Sequence, residues 1–236
     1  MTDGLGLGDA YGATLSWIKG QGGRKAKLGM AASMWISHAE RPLNSDELCH
    51  ALGVEIGSPN LNSDNVPSIG TLLVCCQGLV VEDKEASTIR LIHFTLQEYL
   101  RAHPRLFGTT ESTIVETCLI YLNSRQVKAL STNLIPDLQS TPFLEYSSLY
   151  WGVHAQRELS DCAKRLILNL FDGYHHIPAK ILLKAQKWYT SIWISITSFT
   201  GMRLFTGMWL SMATTGTSNV HFIFYTNSRD TIVKMC

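Results

Sequence analysis

The spacing of apolar positions predicts a succession of short helices along most of the chain. Residues 10–19, 24–38, 111–122 and 159–171 repeat apolar side chains every three or four positions, which is the period of a helix that buries one face. Shorter segments of helical pattern are residues 45–52, 67–76, 126–130, 143–154 and 177–188. The faces expected to be buried in the first two helices consist of Tyr11, Leu15, Ile18, Leu28, Ala31, Ala32, Trp35 and Ile36. We therefore expect helices to form most of the fold.

Capping and breaking residues mark where several of these helices begin and end. The glycine-rich residues 20–23 end the first helix. Asn44 or Ser45 caps the third helix, because acidic residues follow in its first turn and favour the positive end of the helix dipole. Pro67 and Ser68 open the fourth helix.

Two short β-branched segments interrupt the helical pattern. Residues 79–82 and 88–92 flank the charged residues 83–87, which is typical of a β-hairpin with an exposed tip. After the hairpin, Thr95 is expected to cap a helix over residues 96–100. Helices followed by a hairpin and another helix describe a winged helix. The predicted fold is mainly α: a winged-helix module with a small β-hairpin, followed by an α-helical array.

The composition indicates a folded protein without a signal peptide. The chain has 236 residues, of which 45% are hydrophobic and 17% charged, enough apolar surface for a core. The six cysteines lie mostly in apolar runs without a Cys-x-x-Cys pair, so we expect reduced thiols and no metal site. The N-terminus has neither a basic segment nor an apolar segment of the signal-peptide kind. We therefore expect a cytoplasmic location.

Motifs that would indicate an enzyme are missing from the sequence. The closest approach to a phosphate-binding P-loop is residues 20–25, but this segment follows a helix and lacks the Ser or Thr that binds magnesium. The sequence also contains neither Gly-x-Ser-x-Gly nor His-Glu-x-x-His. We therefore predict a protein without an active site of its own.

The helix in the position of a DNA-recognition helix has no basic residue. This fourth helix, residues 67–76, contains neither Arg nor Lys to reach phosphates or guanine edges. The formal charge of the chain is only +1, and neither half is strongly basic. A winged helix that contacts protein, and not nucleic acid, is the better interpretation.

His93 is the one candidate for a functional side chain. It lies where the second hairpin strand leads into a helix, whose free N–H groups and dipole favour anions. From the residues alone two interpretations stay open: a histidine with a structural role, or one that contacts an anionic ligand.

Three segments of the sequence resemble one known family. Residues 34–43 (MWISHAERPL), 46–52 (DELCHAL) and 91–100 (LIHFTLQEYL) are similar to fungal NACHT–ankyrin proteins of the STAND class of signal-transduction NTPases. The similarity extends over about residues 7–188. The domains that it implies are the end of a NACHT-associated helical region at 1–23, a winged helix of the GPI inositol-deacylase type at 24–105, and a helical linker at 106–188. Residues 189–236 depart from the family and are expected to form an irregular tail.

The resemblance implies a regulatory function. In such proteins the winged helix closes over the nucleotide held by the NACHT module, and the histidine matching His93 contacts the phosphate of bound ADP. The P-loop and Walker B segments that should precede Leu7 are missing, so we expect ADP or ATP to bind only if an upstream NACHT module is present. The expected partners are other proteins or the protein's own NACHT and ankyrin regions.

Two alternatives to this nucleotide-state latch stay open. The chain could be an independent winged-helix adaptor that binds protein without a nucleotide, which would leave His93 a core residue. It could also be a module tethered to a membrane through residues 188–213, although Arg203 and many hydroxyl groups make that span marginal. No Thr-Pro-Leu-His signature of ankyrin repeats follows residue 188.

Overall fold

The computed structural model describes residues 6–58, 61–129 and 140–172. The first part of this region contains α1 (Leu7–Gly20), α2 (Gly23–His38), α3 (Ser45–Gly53), α4 (Ile69–Cys75), β1 (Val80–Asp83), β2 (Thr88–Leu91) and α5 (Phe94–Ala102). The second part contains α6 (Thr110–Asn123), α7 (Arg125–Lys128), α8 (Leu144–Arg157) and α9 (Asp161–Asp172). The predicted fold class, mainly α with one hairpin among the helices, is confirmed.

The helix α2 lies at the centre of the first part. It packs against α1, α3, α4, α5, β2 and α6, so more than one of its faces is buried. Of the five residues predicted for its buried face, Ala32 and Trp35 are buried, whereas Leu28, Ala31 and Ile36 are only half-buried. Ser33 and Ser37 are buried as well. Each serine hydroxyl donates to a carbonyl one turn earlier in α2, so these buried polar groups are satisfied within the helix.

The turn before α3 is held by reciprocal bonds between side chains and backbone. Asn44 caps the helix, since its Oδ1 accepts from the amide of Glu47 at 2.8 Å and Glu47 Oε2 accepts from the amide of Asn44 at 3.0 Å. Arg41 donates to both carboxylate oxygens of Glu47, at 2.8 and 2.5 Å. Of the two candidate caps, Asn44 and Ser45, Asn44 therefore caps α3, and Glu47 completes a capping box.

The hairpin is antiparallel and gains a third short partner. Val80 pairs with Leu91 and Asp83 with Thr88 at the two ends of the ladder. The amide of Ile89 also donates to the carbonyl of Leu43 at 2.8 Å, which adds one bridge from the segment between α2 and α3. This bridge fixes the hairpin against the helices that precede it.

The second part is built around α6. This helix packs against α8 and α9, and it also contacts α2 and α3. All five of its predicted core residues are buried: Ile114, Val115, Cys118, Leu119 and Leu122. Phe143, which precedes α8, and Tyr146 of α8 are buried and lie edge-on to Trp35 of α2, with ring-centroid distances of 5.5 and 5.9 Å. The helical array therefore shares a core with the first part.

Some expectations concern residues outside the described part of the chain. These are Leu130, the helix at 177–188, the candidate membrane segment at 188–213, and the tail at 189–236. Within the described residues, no helix is long and apolar enough to cross a membrane, and no cluster of three or more His, Cys, Asp or Glu side chains is placed to hold a metal ion. Cys49, Cys75, Cys76, Cys118 and Cys162 are free thiols.

Candidate functional site

His93 forms the N-terminal cap of α5. Its Nδ1 lies 3.3 Å from the amide of Thr95 and 2.8 Å from Thr95 Oγ1. The helix begins at Phe94, so the prediction that Thr95 caps a helix starting at Leu96 was two residues late. The side chain of His93 is exposed, which excludes a core position for it.

The hydrogen bonds at this cap determine which nitrogen of His93 carries the hydrogen. A backbone amide can only donate, so Nδ1 accepts from Thr95 N and must be unprotonated. The hydroxyl of Tyr11 lies 2.7 Å from Thr95 Oγ1, and it can donate to that oxygen while Thr95 donates to Nδ1. In the neutral ring the hydrogen therefore sits on Nε2. His93 thus offers an N–H donor that these bonds leave free for a partner.

Large apolar side chains flank His93. Ile92 is 52% exposed and Phe94 is 67% exposed, and the ring of Phe94 lies against the imidazole with a centroid distance of 4.7 Å. Exposed apolar residues next to a free hydrogen-bond donor are typical of surfaces that bind a partner. We call the group Ile92, His93 and Phe94 the α5 edge.

Further exposed apolar side chains lie on α4 and near the end of α1. Val74 is 64% exposed and Trp17 is 68% exposed. Gln21 joins the two helices, because its side-chain amide donates to the carbonyl of Cys75 at 2.8 Å. No charged residue occurs between residues 65 and 81. The α4 part of this surface lacks the basic side chains that a nucleic-acid interface would need.

Sequence analysis missed a buried polar chain between the two parts of the fold. The amide of Glu40, after α2, donates to the hydroxyl of Tyr146 at 3.1 Å. Tyr146 Oη lies 2.9 Å from His154 Nε2, and His154 Nδ1 lies 2.5 Å from Glu111 Oε2. The only signal in the sequence was a histidine within an aromatic-rich helix, which by itself does not reveal its partners.

The lowered pKa of Glu111 agrees with its place in this polar chain, where its carboxylate accepts a hydrogen bond. Burial raises the pKa of its carboxyl, but the hydrogen bond from His154 and the positive charge of Arg157 outweigh burial, so the net pKa lies below its usual value. Arg157 also contacts Glu40, with Nη1 and Oε1 2.5 Å apart. Because the arginine is 48% exposed, solvent screens its contribution.

The order of helices and hairpin defines a winged helix, and one comparison with known proteins agrees. Residues 17–109 match the family model of the GPI inositol-deacylase winged helix domain. A winged-helix domain is therefore present in this part of the chain, and it includes the α5 edge and α4. No curated protein and no solved structure matches the chain.

Proposed function

We propose that this chain is a non-catalytic regulatory and scaffold element whose winged helix binds other proteins. The observation that carries the proposal is the surface of that domain: it presents exposed apolar side chains at the α5 edge and on α4, without basic residues on α4. Removing water from such a surface costs little free energy, and apolar contact with a partner contributes favourable free energy of binding, which favours a protein partner.

The finer proposal is that the winged helix acts as a nucleotide-state latch on a NACHT module of a STAND-class protein. The free Nε2–H of His93 and the exposed N-terminus of α5 support it, because both attract an anionic oxygen such as that of a β-phosphate. ADP or ATP would then belong to the NACHT module and not to this chain. If the winged helix contacts the ADP-bound form more tightly than the ATP-bound form, that difference would shift such a module toward its closed state.

A binding experiment with one conservative variant tests the latch. The whole chain is titrated onto the purified NACHT module of a fungal NACHT–ankyrin protein, loaded with either ADP or a non-hydrolysable ATP analogue. His93→Asn is the informative variant, because asparagine keeps the acceptor that caps α5 but lacks the imidazole Nε2–H. His103→Gln is the matched control, since His103 is also exposed and lies just after the C-terminal end of the same helix.

We expect tighter binding to the ADP form, and a loss of about tenfold with His93→Asn, as one hydrogen bond to a charged group is worth about 1.5 kcal/mol. His103→Gln should bind like the wild type. Equal affinity for both nucleotide forms, unchanged by His93→Asn, would favour the independent adaptor over the latch. Absence of any binding to the NACHT module would contradict the finer proposal altogether.

A further inference from the structure

The polar chain from Glu40 to Glu111 connects the winged helix to the helical array, and its bonds run in one direction. An amide only donates, so Glu40 N–H occupies a lone pair on the oxygen of Tyr146. Burial raises the pKa of Tyr146, so the phenol stays protonated. Its hydrogen points to Nε2 of His154, and the hydrogen on Nδ1 points to the carboxylate of Glu111. One neutral tautomer of His154 therefore satisfies every bond.

The middle of this polar chain is buried where the winged helix and the helical array meet. Tyr146 and His154 are both 0% exposed, so water does not compete for their hydrogen bonds. The apolar contacts at the same junction, such as those of Phe143 and Tyr146 with Trp35, are not directional and tolerate sliding of one surface over the other. Hydrogen bonds weaken steeply when their angle changes. The polar chain thus specifies an orientation that apolar packing alone does not.

We infer that the chain Glu40–Tyr146–His154–Glu111 is an orientation lock, which makes the winged helix and the helical array move as one body. A displacement of α8 is then passed to the segment between α2 and α3 and so to the winged helix. Arg41 supports the lock from the winged-helix side, since its guanidinium lies 5.4 Å from the ring centroid of Tyr146. The inference does not depend on the proposed function, because it concerns motion within this chain and not binding.

A distance measurement between two spin labels tests the lock in the full chain. The labels are attached through Lys27→Cys on α2 and Arg165→Cys on α9, both at exposed positions. Cys162→Ser and Cys236→Ser remove two native thiols that would otherwise compete for the label. Pulsed electron spin resonance then gives the distribution of distances between the winged helix and the helical array.

Two variants disturb the polar chain at neighbouring links: Tyr146→Phe removes the acceptor of Glu40 N–H, the bond that crosses between the two parts of the fold, and His154→Asn disturbs the bond within α8 that orients the Tyr146 hydroxyl. Tyr146→Phe keeps the packed ring but removes the hydroxyl, and His154→Asn keeps a donor toward Glu111 but removes the acceptor of Tyr146. Tyr150→Phe is the matched control: it removes a hydroxyl one turn further along α8 that is not part of the chain, and its ring also lies near Arg41. Near-ultraviolet circular dichroism of each labelled sample reports whether the core is folded.

We expect a narrow distribution for the wild type and for Tyr150→Phe. In Tyr146→Phe and His154→Asn the distribution of label-to-label distances should broaden or shift by roughly 1–2 Å, the usual size of helix shifts at an interface. A narrow, unshifted distribution in either folded variant would overturn the lock, as would equal broadening in Tyr150→Phe. Failure of Tyr146→Phe to fold would also overturn it, because the hydroxyl would then be needed for folding and not for orientation.

Discussion

Gly29 lies at a close approach between α2 and the end of α4, and Gly29→Ala tests how rigid that approach is. A methyl group added at Gly29 would lie 2.5 Å from the carbonyl oxygen of Cys75 and 2.8 Å from Cγ2 of Ile18. The first of these atoms belongs to the backbone, and the second to a side chain that is 0% exposed, so neither can move aside cheaply. The substitution should therefore force α1 or α4 away from α2.

The expected loss follows from two opposing contributions. Overpacking a well-packed core costs about 1–3 kcal/mol, and contact on two sides places Gly29→Ala near the upper end. Alanine in a helix interior gains about 1 kcal/mol over glycine. We therefore expect the free energy of unfolding to fall by about 2 kcal/mol. For a chain of this size that corresponds to a decrease of roughly 4–8 °C in Tm.

Urea denaturation of matched variants measures this loss. Gly70→Ala is the control, because nothing lies within 4 Å of a methyl group added at that exposed helical position. Gly70→Ala should gain about 0.5–1 kcal/mol, so the two substitutions should move the midpoint in opposite directions. An unchanged slope would show that both act on stability alone. If Gly29→Ala were as stable as the wild type, the argument from close packing of α2 on α4 would be refuted.

Three further predictions concern caps and titrating groups. Asn44→Ala should lower the free energy of unfolding by about 1 kcal/mol, measured by urea denaturation, because the cap of α3 is lost. Burial lowers the pKa of His38 and of His50, so the folded chain binds fewer protons than the unfolded chain just below the ordinary value of 6.5. The urea midpoint should therefore decrease when the pH is lowered from 7.5 to 5.5, roughly one unit above and below that value. The decrease should be smaller in His38→Gln. Burial raises the pKa of Cys76 to about 12, so mass spectrometry should find slow alkylation there and faster alkylation at the half-buried Cys162.

Local features of the fold were determined by the sequence itself. The buried face of α1, the core residues of α6, a cap at Asn44 or Ser45 and the hairpin strands were all predicted from spacing and residue type. Each of these depends on residues within a few positions of one another. Helix period, capping and strand pairing across a short turn act at that range, so the pattern of the sequence contains the information.

Contacts between distant segments were decided only by the tertiary structure. Glu40 and Tyr146 are 106 residues apart and Glu111 and His154 are 43 apart, so no local pattern could pair them. Burial of Ser33 likewise depends on the elements that surround α2 on several sides. The helical period of apolar residues predicts only one buried face, so it could not reveal this. Helix crossing angles and side-chain packing set these contacts, and both arise from the whole core. The sequence therefore determined most of the elements and pointed to His93, whereas the exposure of the α5 edge and the orientation lock required the fold.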